Sequence, residues 1–528
     1  MKPITFAGLV VAMSLIVAHE AVAGLALASV FGHNMVLQGD APVPVWGRAE
    51  AGRTITVEFA GQRRSSPAAS DGRWRVTLDP LPPSFTPRTL RVSGDGEVQI
   101  TNVLVGEVWL AAGQSNMEFP LSREAHAAQE VPAATNASVR LLNLAFAGQY
   151  FYAKPFGANE LSRLTPERFY AGAWRPCSPP VAQEFSAIAY YFGRELQSEL
   201  HVPVGIISLA VGGSPTEAWI RRAALAADPE LGVMTHGNWL TNAALDDWCR
   251  ERGHQNLDAP IRAGLSAPGD DLGPNHHFKP CFLWDAGPGR LLPFALRGVL
   301  WHQGESNSLE PRRVAQHEKL FPLLVQDWCA QWGQPRLPFL YCQLSSISTN
   351  GGYQSECWPD FRDQQRRFLA TIPDTAMAVT SDLGHPTDVH PRNKRDVGHR
   401  LALAALAEVY GRDVEFSGPL VQGATRRGDK VVVRFGHAHG LKTTDGQAPN
   451  SFAVAGATGD FVPATAVIAN DAVELTCSQV PHPARVRYAW QPFPKPAQNL
   501  VNGAGLPAST FGIVIDGAGV PPVRQPDR

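Results

Sequence analysis

Hydrophobic positions along this chain follow two different periods. Residues 24–105 carry the strand period. Thr54-Ile-Thr-Val-Glu-Phe59 and Trp74-Arg-Val-Thr-Leu78 alternate apolar and polar side chains, with Gly, Pro and Asp turns between the runs. That pattern predicts a small β-sandwich. From Gly106 the pattern changes to short continuous apolar runs separated by longer amphipathic stretches. The runs at 108–112, 204–209, 299–300, 339–343 and 376–380 read as strands buried on both faces. The stretches at 216–226, 309–332, 358–370 and 393–410 read as helices, and in the last of them Val397, Leu401 and Ala405 share one face. Strands alternating with helices imply a parallel sheet, so 106–412 is expected to be an α/β domain. Two stretches rich in Pro, Gly, Asn, Asp and His, at 120–180 and 227–292, interrupt the alternation. Long irregular insertions after sheet-edge loops are expected to shape a substrate site. β patterns return in Lys430-Val-Val-Val-Arg-Phe435 and Ala484-Arg-Val-Arg-Tyr488, which predicts a second β domain over 413–528.

Composition narrows the class. A chain of 528 residues exceeds one ordinary core, in keeping with several domains. The formal charge of −2 provides no basic face, which argues against nucleic acid as a partner. Forty-eight glycines and 44 prolines beside only 18% charged residues suit a loop-rich exported enzyme. Lys2, an apolar core at 6–17 and Ala21-Val-Ala23 have the anatomy of a secretory signal spanning residues 1–23. That core is shorter than the roughly 20 residues a membrane span requires. The expected location is therefore secreted or periplasmic, with no membrane partner. Of seven cysteines, Cys249 and Cys281 are candidates for a disulfide, whereas Cys342, within an apolar strand, reads as a buried thiol. No CxxC pair, Cys/His cluster or two-His helix signature is present, so no metal site is expected.

The chemistry gathers at three predicted strand ends. Val108–Ala112 leads into Gly113-Gln-Ser-Asn116, which presents Ser115 at the carboxyl edge of the sheet. A serine hydroxyl needs a base, and His390 in Thr387-Asp-Val-His-Pro391 provides the candidate. Asp388 stands two residues earlier, on the same side of an extended segment, and can orient the imidazole. Asp382 and Glu305 are the competing acids. Trp301-His-Gln-Gly-Glu-Ser-Asn307 closes the third strand, and its Gln303 and Asn307 amides are candidate oxyanion donors. Gly212 and Gly213 allow close backbone approach for a further N–H.

Gly113-Gln-Ser-Asn-Met-Glu118, Trp301-His-Gln-Gly-Glu-Ser-Asn307 and Asp388-Val-His-Pro391, in this order, resemble the sialate O-acetylesterase-like carbohydrate esterases of the SGNH-hydrolase superfamily. The resemblance extends to both ends of the mature chain. Phe31-Gly-His-Asn-Met-Val-Leu-Gln38 is similar to the family's opening, and Val486-Arg-Tyr-Ala-Trp490 and Gly505-Leu-Pro-Ala-Ser509 to its close. It implies a flavodoxin-like three-layer sheet, sugar deacetylation and no cofactor. Ser115 would be the nucleophile and His390 the base, with Gly212, Gln303 and the Ser115 N–H as the oxyanion hole. Asn307 and Trp301 would contact substrate. The superfamily's usual acid lies three positions before the histidine, where this chain has Thr387, so Asp388 and Glu305 both stay open. Val211 stands where the family often has tryptophan. The expected function is a secreted serine acetylesterase acting on plant hemicellulose, such as xyloglucan or xylan, or on O-acetylated sialic acid. Trp239, Trp248, His276, His277 and Trp284 are candidates for a glycan cleft. The alternative is a carbohydrate-binding protein on the same fold, without turnover.

Overall fold

A computed structural model describes residues 24–349 and 352–516; the expected signal at 1–23 lies outside them. Glu97–Gly113 is a single strand of 17 residues that runs from the N-terminal β region into the parallel sheet. Its first half pairs antiparallel with Ser84–Ser93 and parallel with Val36–Gln38, within the N-terminal β region. Its second half is buried throughout and lies between Val204–Ser208 and Gly298–His302, parallel to both. The division expected at 105/106 falls inside this strand, so the serine-bearing end is braced by hydrogen bonds running into the N-terminal β region.

The parallel sheet continues on one side through Phe339–Cys342 to Thr375–Ala378. On the other side it continues through Asn136–Asn143 to an antiparallel edge strand, Trp174–Cys177. These last two strands lie within 120–180, where the sequence pattern suggested irregular structure. Their apolar run is only Val139 to Leu142, interrupted by Arg140, too short to stand out from its polar flanks.

Alternate side chains of the strands feed two cores, as a period of two requires. Trp109, Ala111, Leu300, Leu340 and Ala376 pack with Ile188, Phe192, Leu401 and Ala405, from helices Ala187–Leu200 and Arg395–Glu408. Val108, Leu110, Val299, Trp301 and Tyr341 pack with Leu320, Phe321, Trp328 and Phe368, from helices Pro311–Trp332 and Trp358–Thr371. The helix expected at 216–226 divides into a 3₁₀ turn, Thr216–Trp219, and a helix, Arg222–Ala227, because Ile220 between them is extended.

The C-terminal region forms two four-stranded antiparallel sheets around Val433, Val454, Val486 and Phe511. It is tied to the parallel sheet by polar contacts, including Gln343 Nε2 donating to Ser509 Oγ at 2.8 Å. All seven cysteines are free thiols. The expected Cys249–Cys281 bridge is therefore not formed, and both side chains are instead packed in the same apolar cluster. Cys342 is buried, and burial pushes its thiol pKa up. No helix among the described residues is long and apolar enough to cross a membrane.

Candidate active site

The strand carrying the serine ends at Gly113, whose φ of +121° favours glycine and whose Cβ position would lie 2.2 Å from the His302 carbonyl oxygen. This close approach brings the ends of two neighbouring strands together, and Gln114 N–H donates to the same carbonyl at 2.9 Å. The chain then turns into Ser115–Glu118. Ser115 opens the turn, so its own N–H has no acceptor within the helix.

Ser115 Oγ lies 2.8 Å from His390 Nε2. Asp388 Oδ1 accepts the His390 backbone N–H at 2.9 Å and lies 3.6 Å from Nδ1. A proton on Nδ1 faces this carboxylate, which leaves Nε2 to accept from the serine. The His390 side chain is 30% exposed and that of Asp388 47%. Burial, reinforced by the nearby Lys394 and Arg123 cations and opposed by Asp388, lowers the His390 pKa to about 4. The ordinary value near 6.5 would protonate an imidazole over the mildly acidic range; here the ring stays neutral through it.

The competing acids are engaged by other partners than His390. Asp382 forms a two-pronged pair with Arg400, each contact 2.7 Å long. Glu305 is buried in the wall of the same cleft as Ser115, and its Oε1 accepts from Asn116 Nδ2 at 2.5 Å. Asn116 also donates to the Val389 carbonyl at 3.0 Å and accepts from the buried Lys394 ammonium. Burial raises the Glu305 pKa, and it lowers that of Lys394 to about 8. This network fixes the residue after the serine to the residue before the histidine. Its signal in the sequence was the Asn of the Ser-Asn pair, read there only as part of a turn.

Beside the serine, Gly212 N–H donates to Glu118 Oε2 at 2.7 Å. Gln149 Nε2 donates to the other carboxylate oxygen at 2.9 Å. Burial raises the Glu118 pKa against the lowering effect of these two hydrogen bonds and of Arg123. Sequence reasoning passed over Glu118, three residues after the serine on the same turn. The next residue, Gly213, has a φ of +73°, and its Cβ position would lie 2.7 Å from the Trp248 ring.

Gln303 is buried, and its amide is fully engaged. Its Nε2 donates to Asn307 Oδ1 at 2.6 Å and to the Ser214 carbonyl at 3.3 Å, while its Oε1 accepts from Thr216 Oγ1 at 2.6 Å. Asn307, expected to contact substrate, instead accepts from Thr216 N–H at 2.9 Å and donates to Glu217 at 3.1 Å. Trp301, also expected there, is buried among Trp219, Phe321 and Trp328. Its strand position points it into the core rather than the cleft. None of these three side chains lines the cavity around Ser115.

That cavity is a cleft of about 840 Å³, with Ser115, His390, Glu118 and Gly212 in its wall. The two insertions supply much of the remainder, including Tyr150, Tyr152, Trp248, Arg252 and Phe278, and Tyr353 adds another aromatic ring. Of the aromatic and histidine candidates, Trp248 and His277 line it. Trp239 and His276 stack on each other in the interior, and Trp284 packs on Trp328. Among the described residues, no cluster of three or more His, Cys, Asp or Glu side chains is placed to hold a metal ion.

The family model for carbohydrate esterase, sialic acid-specific acetylesterase, matches residues 289–407. Mouse (Mus musculus) sialate O-acetylesterase is 30% identical over 450 residues, covering 78% of this chain and 79% of its own. The human (Homo sapiens) sialate O-acetylesterase is 30% identical over 444 residues, covering 78% and 76%. A crystal structure of a carbohydrate acetylesterase from Xanthomonas citri superposes with a TM-score of 0.75 at 34% identity, covering 92% of this chain and 99% of that one.

Proposed function

The chain belongs to the sialate O-acetylesterase family of carbohydrate esterases and is a carbohydrate O-acetylesterase, and from that premise we propose that it deacetylates neutral polysaccharides of the hemicellulose type outside the cytoplasm, through an acetyl-serine intermediate. The observation that carries the mechanism is the 2.8 Å contact between Ser115 Oγ and His390 Nε2 in the wall of a large cleft. His390 takes the serine proton as Oγ attacks the acetyl carbonyl, and then returns it to the departing sugar oxygen. Water repeats the sequence on the acetyl-enzyme and releases acetate. Asp388 stabilises the imidazolium formed in each half. The Ser115 and Gly212 N–H groups are the backbone donors nearest the oxyanion. The helix-covered parallel sheet is read here as the flavodoxin-like three-layer arrangement of SGNH hydrolases, with Ser115 at its carboxyl edge.

The substrate reading rests on charge. Glu118, Asp247, Glu251 and Glu310 line the cleft, whereas among the described residues Arg252 is its one guanidinium, and that group is stacked 4.3 Å from the Tyr152 ring centroid. A cleft with this balance repels the carboxylate of a sialic acid and accepts a neutral sugar, whose faces suit Tyr150, Tyr152 and Trp248. Family membership favours the enzyme over the non-catalytic binder considered from sequence. The signal anatomy of residues 1–23 supports export.

The test is acetate release from acetylated xyloglucan, acetylated xylan and O-acetylated sialic acid, with Ser115→Ala beside the wild type. Serine-dependent release from the hemicelluloses is expected. Preference for the sialate would overturn the charge argument, and equal release by Ser115→Ala would overturn the mechanism.

A further inference from the structure

One contact conflicts with an oxyanion hole ready for reaction. The Gly212 N–H, the donor beside Ser115, is already bound at 2.7 Å by the carboxylate of Glu118. The two groups are packed closely: a Cβ on Gly212 would lie 3.0 Å from Glu118 Oε2 and 3.6 Å from Ser115 Cβ. An acetyl carbonyl that places its oxygen on this N–H must displace the carboxylate. Its developing negative charge would otherwise form against an existing one, which a water-poor site penalises strongly.

We propose that Glu118 is a displaceable cap on the oxyanion hole, removed when a glycan fills the cleft. The proposal rests on the acyl-transfer reading above. Its second support is the brace on the other carboxylate oxygen. Gln149 holds Glu118 at 2.9 Å, and Gln149 belongs to the same insertion segment as Gly148, Tyr150 and Tyr152, which line the cleft. A sugar stacking on that segment acts on the residue that steadies the cap. Binding away from the reacting carbonyl is thereby coupled to exposure of the donor, so that binding energy from non-reacting parts of the substrate is used in the transition state. Glu118 is accordingly a positioning residue, and it determines which esters open the site: a small acetyl ester reaches the serine but has no contacts with which to move the cap.

Methylboronic acid tests this directly, because it needs the oxyanion hole and not the glycan cleft. Ser115 Oγ adds to boron, its proton passes to His390, and a boron-bound oxygen occupies the position of the oxyanion. Affinity would be measured by calorimetry on wild type, Glu118→Ala, Glu118→Gln and Ser115→Ala, with melting temperatures for each. Freeing a donor whose loss typically costs about 10²–10³ in rate should tighten boronate binding about tenfold in Glu118→Ala. Glu118→Gln, the variant closest to native shape, should fall between it and wild type. The kcat/KM for 4-nitrophenyl acetate should rise with the affinity, a gain that a merely structural residue cannot give. Binding equal to or weaker than wild type in a variant that keeps the native melting temperature would overturn the cap. Wild-type binding that Ser115→Ala fails to abolish would instead overturn the serine reading, and the cap with it.

Discussion

The two sides of Ser115 are prepared differently. On the histidine side the reacting atoms are already within hydrogen-bonding distance, at 2.8 Å, and the ring is held by Asp388 and a buried network through Asn116. On the glycine side the donor is engaged by a carboxylate of the chain itself. Proton transfer thus needs no rearrangement, whereas charge stabilisation needs one. This division lets the fold hold a nucleophile and its base in permanent contact without full reactivity toward every small ester. The half that confers most of the electrostatic stabilisation is the half that depends on a ligand.

The largest effect should come from removing the nucleophile. Ser115→Ala is expected to lower kcat by about 10⁴-fold or more, since members of such a unit fail together. Acetate release within tenfold of wild type would dissolve the comparison altogether. Next is Asp388→Asn, which keeps an acceptor for the His390 N–H but removes the charge. A buried triad aspartate typically loses about 10⁴-fold on this change. Asp388 is 47% exposed and 3.6 Å from Nδ1, so a loss of about 10- to 100-fold is expected. Glu305→Gln in the same assay should change kcat less than Asp388→Asn. The reverse order would transfer the role of the acid to the buried side of the site.

These expectations depend on contacts of very uneven visibility in the sequence. The strands ending in Ser115 and His302 could be read because parallel strands covered on both faces are continuous apolar runs. Asn136–Asn143 was passed over although Asn136-Ala-Ser-Val-Arg-Leu141 alternates polar and apolar residues, because its longest unbroken apolar run is Leu141-Leu142, unlike the continuous runs of the neighbouring parallel strands. The pairing of Ser115 with His390 followed from chemistry, since a serine at a strand end requires a base. The choice among Asp382, Asp388 and Glu305 did not follow, because it depends on which neighbour claims each carboxylate: Arg400, His390 and Asn116 respectively. Gln303, Asn307 and Trp301 look like site residues in one dimension because they surround a strand end. In three dimensions their side chains turn into the protein, and Glu118, one helical turn from the serine, turns into the cleft.

Gln303 gives a smaller and more discriminating prediction. With both amide hydrogens engaged by Asn307 and Ser214, Gln303→Ala should change kcat by less than tenfold. It should lower stability by about 1–3 kcal/mol, because the buried Thr216 hydroxyl and Asn307 amide lose a partner. A loss of about 10²–10³ in kcat at unchanged melting temperature would instead identify it as an oxyanion donor. It would also show that the glycine side rearranges more widely than the Glu118 cap alone.

The smallest change in rate is expected from pH, and the sign separates the base from the other buried histidines. His390 acts as a base when neutral. Burial, with Lys394 and Arg123, lowers its pKa to about 4, so at pH 5 only about a tenth of the rings are protonated and kcat/KM should be nearly that at pH 7. The acid limb should appear near pH 4 rather than 6.5. His277 and His317 are buried with pKa values lowered to about 3, and they are also neutral in the fold. In the unfolded chain they titrate near 6.5, so the unfolded state binds more protons below that pH. Their contribution to stability is complete above pH 6.5 and is lost as the pH falls toward 3, by about 2 kcal/mol per histidine at pH 5. Initial rates should therefore stay flat from pH 7 to 5 while the melting temperature falls over the same range. A rate that declined with a midpoint near 6.5 would mean that His390 is more hydrated than its packing against Phe119 and Ser115 implies, and that the histidine side, like the glycine side, is completed only when substrate binds.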